Sequence, residues 1–258
     1  MQPPPAATPA WRARPFGASA ADIDVVFGGD RAGAVTAVLG ACLSDADGRN
    51  AGTGEAWDWT LNQRLQALLA VRLAAGDTPL DVQAPCANCG EPMALALDLT
   101  RLAAPPVAPR FDWRQADGSA VQLRLPRGRD LQNWQAAGIT DPAAMVSALI
   151  DDVAGEAPGP GYRAPEVWLA AIDDEFEAHD PLTALRLQTD CPACAQPNSI
   201  ACDLEALLLA GFARVQARLL ADVARLAAAF HWSEAQIVAL PRWRREHYLR
   251  LLDAGGWA

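Results

Sequence analysis

LDVQAPCANCGEPMALALDL (residues 80–99) and LRLQTDCPACAQPNSIACDL (residues 185–204) are two copies of one pattern that align without a gap. Each copy carries a Cys-x-x-Cys pair between two short apolar runs. The positions that are identical in the two copies are Leu80/Leu185, Gln83/Gln188, Cys86/Cys191, Cys89/Cys194, Pro92/Pro197, Ala96/Ala201, Asp98/Asp203 and Leu99/Leu204. Because two thiolates do not complete a metal site, each copy predicts the other as its second half.

The residues around each cysteine pair predict a strand, a tight turn and a second strand. In the first copy the turn covers residues 85–90, and the apolar side chains that alternate along the flanking strands are Leu80, Val82, Met93, Leu95 and Leu97. Period-two alternation bounded by Pro and Gly is typical of short antiparallel strands. We therefore predict two hairpins, called here the first and second knuckle, that form a split zinc ribbon.

The four repeated cysteines are the predicted metal ligands. Cys86, Cys89, Cys191 and Cys194 match the two-plus-two spacing of a tetrahedral four-cysteine zinc site, and one structural zinc ion is expected. A redox pair would place Cys-x-x-Cys at a helix N-terminus, but here a second strand follows. Two disulfides would require an oxidising compartment. A catalytic zinc usually keeps one position open, which four cysteines would fill.

The other two cysteines are predicted to be apolar core residues. Cys202 occupies the position that Leu97 holds in the first copy, and Cys42 lies in the helical pattern TAVLGACL. A buried free cysteine behaves as a small hydrophobic residue. Neither is a predicted ligand.

Composition limits the class of protein. The chain has 258 residues, about half of them apolar, and a formal net charge of −10. An acidic chain is a poor match for a nucleic-acid binder, which normally carries a basic face. No apolar run reaches the length of a transmembrane helix, and the N-terminus lacks the apolar core of a signal peptide. We expect a protein of the bacterial cytoplasm without nucleic-acid, membrane or small-molecule partners.

The predicted fold class is α+β and mainly helical, with the knuckles flanked by helices and a mixed insert between them. Helical spacing covers residues 30–43 and, in one run, 55–76, while residues 203–230 form the longest helix. The predicted segments are a disordered Pro/Ala-rich arm (1–27), N-terminal helices with the first knuckle (28–99), a middle insert with a hairpin and helices (100–184), and the second knuckle with the C-terminal helices (185–258).

The chain carries no catalytic signature that we recognise, and we predict that it is not an enzyme. Its three histidines have no neighbouring cysteine, serine or paired carboxylate at a spacing typical of a nucleophile and its base. Two Arg-rich stretches are candidates for partner binding, because Arg with Trp and Tyr is the composition of interface hot spots. The candidate residues are Arg124, Arg127, Arg129, Trp243, Arg244, Arg245 and Tyr248. Ordinary surface charge is the competing interpretation.

The order of these motifs resembles the T-even-type phage baseplate protein family, which occurs in contractile phage tails and related bacterial injection systems. The resemblance covers residues 63–252, and its most specific parts are RLPRGRDL (124–131), the second knuckle with its long helix, and residues 230–252. It implies a non-enzymatic role in building the baseplate or its hub, with zinc on the four repeated cysteines. Other baseplate, hub or tail proteins are then the expected partners, and the chain either stays in the finished particle or acts only in assembly.

Two alternatives from other classes stay open. One is a cytoplasmic zinc-ribbon regulatory or nucleic-acid-binding protein, which would bind DNA or RNA in a salt-sensitive manner. The other is a hydrolase that uses a zinc-bound water.

Overall fold

The computed structural model describes residues 11–50, 53–76, 78–103 and 107–255. Its α-helices are α1 (Arg31–Cys42), α2 (Thr53–Asp58), α3 (Leu61–Ala74), α4 (Gly128–Ala137), α5 (Pro142–Ser147), α6 (Glu166–His179), α7 (Leu204–Phe230), α8 (Glu234–Val238) and α9 (Arg242–Asp253). Its strands are β1 (Arg12–Ala13), β2 (Leu43–Ser44), β3 (Pro79–Pro85), β4 (Pro92–Asp98), β5 (Arg110–Arg114), β6 (Ala120–Arg124), β7 (Ile150–Val153), β8 (Arg186–Asp190) and β9 (Pro197–Ala201). The predicted α+β class is confirmed.

All strand pairs are antiparallel and belong to small sheets. The pairs are β1–β2, β3–β4 and β8–β9, and β5–β6–β7 form a three-stranded sheet. No helix within the described ranges combines the length and apolar character that a membrane span needs.

The described chain forms two compact units. One contains residues 54–66 and 78–204, and the other contains the described residues within 10–53, 67–77 and 205–258. This grouping differs from the four predicted segments. Both knuckles and the insert belong to the first unit, whereas α1, α8, α9 and all of α7 except its first residue belong to the second.

The insert has its own core in the first unit. Trp113, Val121, Leu123 and Ile150 are buried on one face of the β5–β6–β7 sheet, and Ile172 of α6 belongs to the same cluster. The insert is predicted to contain a hairpin and helices, but its residues 141–155 divide into α5 and β7 because β6 offers β7 a ladder partner. Pairing with a neighbouring strand here overrides the local helical pattern.

The RLPRGRDL stretch is built into the first unit. The carbonyl of Pro126 accepts from Leu61 N–H at 2.9 Å, and Gly128 N–H donates to Trp59 at 3.2 Å. A Cβ on Gly128 would lie 2.3 Å from the guanidinium of buried Arg64, so any other residue there would displace that side chain. These backbone bonds coincide with the break between α2 and α3, where the sequence predicted one continuous helix over 55–76.

The second unit contradicts the prediction of a disordered arm over 1–27. Residues 1–10 lie outside the described residues, but β1 and a 3-10 turn at Ala20–Asp22 follow them. Phe16 is buried and packs against Phe212 of α7 with ring centroids 5.3 Å apart. A Pro- and Ala-rich composition indicated disorder, yet the aromatic anchor and the buried carboxylate described next fix this segment.

Asp22 is a buried charge whose partners lie mainly in the N-terminal segment, although Cys42 Sγ of α1 also lies 3.9 Å from its Oδ1. Its side chain is fully buried and pairs with both terminal nitrogens of Arg14, at 2.6 and 2.7 Å. The same carboxylate accepts from the backbone N–H groups of Gly17, Ala18 and Ser19 at 2.8 to 3.1 Å. Arg14 also donates to the carbonyl of Ala41 near the end of α1 at 2.8 Å. This network ties the N-terminal segment to α1.

We expect Asp22→Asn to destabilise the protein by about 3 kcal/mol, because the carboxamide removes the charge paired with Arg14 and turns N–H groups toward backbone donors. Denaturant unfolding of the full chain measures this change. Glu246→Gln is the control, since it removes an exposed pair with Arg242 and is expected to change stability by about 0.5 kcal/mol or less. Similar small changes in both variants would contradict the role given to Asp22.

Candidate metal centre

The first knuckle is a hairpin whose turn presents two sulfur atoms. β3 and β4 pair from Pro79↔Asp98 to Pro85↔Pro92, and the turn between them carries Cys86 and Cys89. Cys86 N–H donates to the carbonyl of Glu91 at 2.9 Å, and Gly90 N–H donates back to the carbonyl of Cys86 at 2.9 Å. Gly90 has a φ of 76°, in the left-handed region that favours glycine.

The second knuckle repeats this geometry. β8 and β9 pair from Arg186↔Ala201 to Asp190↔Pro197, the same register as in the first copy. Cys191 N–H donates to Gln196, and Ala195 N–H donates to Cys191, at 2.9 and 2.8 Å. Ala195 stands where the first copy has Gly90, and it keeps the left-handed conformation with a φ of 57°. The second turn therefore keeps the left-handed backbone conformation, although alanine replaces the glycine that suits this conformation best.

The two knuckles bring four sulfur atoms together, as the repeat predicted. The Sγ atoms of Cys86, Cys89, Cys191 and Cys194 all lie within 4.8 Å of one another. Cys86 Sγ and Cys194 Sγ are 3.8 Å apart, and Cys89 Sγ and Cys191 Sγ are 3.7 Å apart, so close sulfur contacts run between the knuckles. All four are free thiols. This geometry can hold a metal ion with one thiolate ligand from each cysteine.

One side of the cluster is dry and the other faces solvent. Cys86 and Cys191 are 3% and 2% exposed and pack with Met93, whereas Cys89 is exposed and Cys194 is half-buried. The first cysteine of each pair thus points into the protein and the second points outward.

The thiols differ in acidity. The Cys89 backbone N–H, with further donors from Asn88 and Asn198, lowers the pKa of Cys86 to about 6. The Glu91 backbone N–H favours the Cys89 thiolate, but hydrogen bonding with the Cys194 thiol and burial outweigh it and raise the pKa of Cys89 to about 12. The two pKa shifts favour the thiolate form of Cys86 and the protonated form of Cys89. A metal ion must displace that proton to bind all four sulfurs.

Two asparagines next to the sulfurs were missed by the sequence analysis. Asn88 Nδ2 lies 3.6 Å from Cys194 Sγ, and Asn198 Nδ2 lies 3.5 Å from Cys86 Sγ, so each amide reaches from one knuckle to a sulfur of the other. The repeat contains the only signal that points to them. Their aligned positions hold Ala193 and Met93, so these two polar residues break an otherwise apolar or small pattern.

The two remaining cysteines lie outside the sulfur cluster. Cys202 is 6% exposed at the end of β9, where its N–H donates to Leu185 at 2.8 Å. Cys42 is 2% exposed at the end of α1, and burial raises the pKa of its thiol to about 12. Both are core residues, as the sequence predicted.

The predicted partner-binding arginines at 124–129 take part in contacts within the chain. Arg124 is half-buried and forms a bidentate pair with Asp130 at 2.7 and 2.9 Å, and its docking role stays a prediction. Arg129 pairs with Asp58 at 2.8 Å on the surface. Arg127 is half-buried, and its backbone N–H donates to Asp130 at 2.8 Å.

The predicted contact residues of α9 lie partly in the core and partly on the surface. Arg245 is 6% exposed, and its guanidinium donates to the carbonyls of Val238 and Leu240 at the C-terminal end of α8. This side chain faces the interior, so its assignment as a docking residue was wrong. Tyr248 is half-buried and packs edge-on to Trp232 with centroids 5.1 Å apart. Trp243 is 67% exposed, and Arg244 next to it is also exposed.

Comparisons of the chain with protein-family models, with curated proteins and with solved structures gave no match. The sulfur cluster is thus described by its own geometry, and the role of the chain is a proposal that builds on that geometry.

The left-handed turn residues offer a matched pair of substitutions. We expect Ala195→Gly to stabilise the protein by about 0.5–1 kcal/mol, because glycine adopts the positive φ without the steric cost that alanine carries. Gly90→Ala is expected to destabilise it by a similar amount, and its Cβ would meet nothing within 4 Å, so only the backbone is tested. Chemical unfolding measures both. A change of the same sign in the two variants would contradict the equivalence of the turns.

Proposed function

We propose that this chain is a non-enzymatic structural or assembly protein of a contractile-tail or injection-system baseplate, held together by one structural zinc ion. The observation that carries the proposal is the four-sulfur cluster, which joins two knuckles that are distant in sequence. The resemblance of residues 63–252 to the baseplate family adds the biological role, in the bacterial cytoplasm or in the finished particle.

The sulfur spacing supports zinc. Four thiolates at the usual Zn–S distance of about 2.3 Å form a tetrahedron with edges of about 3.8 Å. The separations of 3.8 Å for Cys86–Cys194 and 3.7 Å for Cys89–Cys191 agree with that edge. Two turns of identical backbone geometry present these sulfurs, so binding requires little rearrangement.

The ligand set supports a structural rather than a catalytic zinc. Four cysteines fill the four tetrahedral positions, which leaves none for the water that a hydrolytic zinc activates. The metal would instead lock each knuckle to the other. An isolated two-stranded hairpin is marginally stable at best, and the buried apolar cluster here is small. The binding energy of the metal would therefore be the main stabilising contribution to this part of the fold.

An exposed patch on α9 supports a protein partner. Trp243 is 67% exposed and lies beside exposed Arg242 and Arg244 on a helix whose opposite face packs through Leu249 into the core of the second unit. A large aromatic side chain flanked by arginines is typical of interface hot spots. Acidic surfaces of other tail or baseplate proteins are the partners that such a basic patch would favour.

We expect the purified chain to bind one zinc ion, and Cys86→Ser and Cys191→Ser to abolish that binding because each removes a ligand from the dry side. Metal analysis gives the stoichiometry, and hydrogen exchange is expected to show the knuckles opening while the β5–β6–β7 core stays protected. Cys202→Ser is the control, since it makes the same chemical change at a cysteine outside the cluster. Full zinc binding by Cys86→Ser would contradict the site.

We expect tagged wild-type chain to recover tail sheath, tube or baseplate proteins from its host, and Trp243→Ser with Arg244→Glu to reduce that recovery at least about tenfold, as loss of a hot spot does. Mass spectrometry identifies the recovered proteins. Val167→Ser is the control, because Val167 is an 86% exposed apolar residue on α6.

The outcomes separate the parts of the proposal. Recovery of tail proteins with the chain absent from purified particles would make it an assembly factor. Equal recovery by the double variant would rule out the α9 patch as the docking surface. If wild type recovers no tail protein but binds DNA in a salt-sensitive manner, the baseplate role is wrong and the nucleic-acid-binding alternative holds.

A further inference from the structure

The side chain of Asn198 connects the two knuckles on the buried side of the sulfur cluster. It begins in β9 of the second knuckle, and its Oδ1 accepts from Ala87 N–H in the first at 2.9 Å. Its Nδ2 donates to the carbonyl of Gln196 at 2.8 Å and lies 3.5 Å from Cys86 Sγ. The amide therefore contacts a cysteine of one knuckle and the backbone of both.

These contacts fix the orientation of the amide. A backbone N–H can only donate and a backbone carbonyl can only accept, so the contacts with Ala87 and Gln196 place Oδ1 and Nδ2 unambiguously. The second amide hydrogen is then directed at Cys86. Asn198 is 6% exposed and Cys86 is 3% exposed, so water does not substitute for this donor.

The other asparagine of the site differs in its surroundings. Asn88 is exposed, and its amide donates to Cys194, which is only half-buried. Water can reach that sulfur and take over the hydrogen bond. The two asparagines thus form a matched pair of donors, of which Asn198 is shielded from solvent and Asn88 is exposed to it.

The repeat shows what Asn198 is adapted to. Its equivalent in the first knuckle is Met93, and the equivalent of its partner Ala87 is Pro192. Proline has no N–H to donate, so an asparagine at position 93 would lack the contact that orients Asn198. Asn198 lies opposite the first turn, where Ala87 offers an N–H. Met93, which is apolar, is the equivalent residue opposite the second turn, where Pro192 offers none.

We propose that Asn198 is a positioning residue of the metal centre, which holds Cys86 in place and adds a side-chain N–H donor to the backbone donor of Asn88 on the side that solvent does not reach. The inference rests on the proposed zinc site. Four thiolates around Zn²⁺ carry a net charge of about −2, which solvent offsets at Cys89 and Cys194 and protein dipoles must offset at Cys86. Donors around a metal site tune its ligands in this way.

Asn198→Met, which installs the residue of the other copy, is the first test. We expect zinc affinity measured by chelator competition to fall about 10- to 100-fold, as loss of such a donor does in other metal sites. Asn88→Ala is the matched control and is expected to change affinity about threefold or less, because water replaces its amide. In the Co²⁺-substituted protein, the sulfur-to-cobalt charge-transfer band should move to lower energy in Asn198→Met and stay in place in the control.

Ala87→Pro gives an independent test that leaves Asn198 itself intact. Proline occupies the equivalent position of the second turn, so the backbone there accepts it, and only the N–H that orients Asn198 is lost. We expect this variant to lower zinc affinity in the same direction. The double variant with Asn198→Met should lose less affinity than the two single losses predict, because both act on one contact.

Three results would each overturn the inference: an unchanged affinity and cobalt band in Asn198→Met, an equal loss in Asn88→Ala, or additive losses in the double variant. A wild-type chain that binds no zinc would instead contradict the proposed function. Zinc bound by wild type and lost in Cys86→Ser, with Asn198→Met unaffected, would leave the metal site standing and remove only the role of Asn198.

Discussion

Four sulfur atoms within 4.8 Å of one another are the constraint on which the first unit depends. They join hairpins between which the whole three-stranded sheet and its helices are inserted. Closing such a long loop costs little more entropy than closing a moderate one, since the cost grows only with the logarithm of length. A metal that binds the closed state alone would therefore offset that cost with a single site, and the apolar contacts between the knuckles would not need to be extensive.

The insert does not rely on the cluster for its own core. Trp113, Val121 and Leu123 pack with α6 side chains inside the inserted segment, and Asn62 of α3 bonds to buried Asp180 at 2.7 Å just before the second knuckle begins. The described residues of the insert thus form a folded body with a core of its own between the two knuckles. A metal bound by the four cysteines would stabilise the same arrangement of the knuckles.

Local signals predicted the elements that local interactions determine. The Cys-x-x-Cys turns and the alternation in β3 and β4 could be predicted, because spacing and turn chemistry specify them. The break between α2 and α3 was not, since the bonds made by Trp59 and Leu61 come from a turn far along the chain.

Buried charges account for most of the remaining errors. Asp22, Arg64 and Arg245 are almost fully buried, although their residue types are among those most often exposed. Each contacts carbonyls, backbone N–H groups or a charge partner that only the folded chain provides. The N-terminal segment and the inner face of α9 were misjudged for that reason, because composition indicates the average exposure of a residue type and not the contacts that a particular side chain makes in the folded chain.

The knuckle repeat shows which parts of a metal site must be symmetric and which need not be. The four cysteines and the strand registers are equivalent in the two copies, as tetrahedral coordination of a bound ion would require. The left-handed turn position tolerates Ala195 in place of glycine at a modest backbone cost. The surroundings of the sulfurs are unequal, with an amide opposite one turn and a methionine at the equivalent position, since the N–H of Ala87 has no counterpart at Pro192. The cysteine positions are alike in the two copies, so the residues that differ around them are those that match each copy to the turn opposite it.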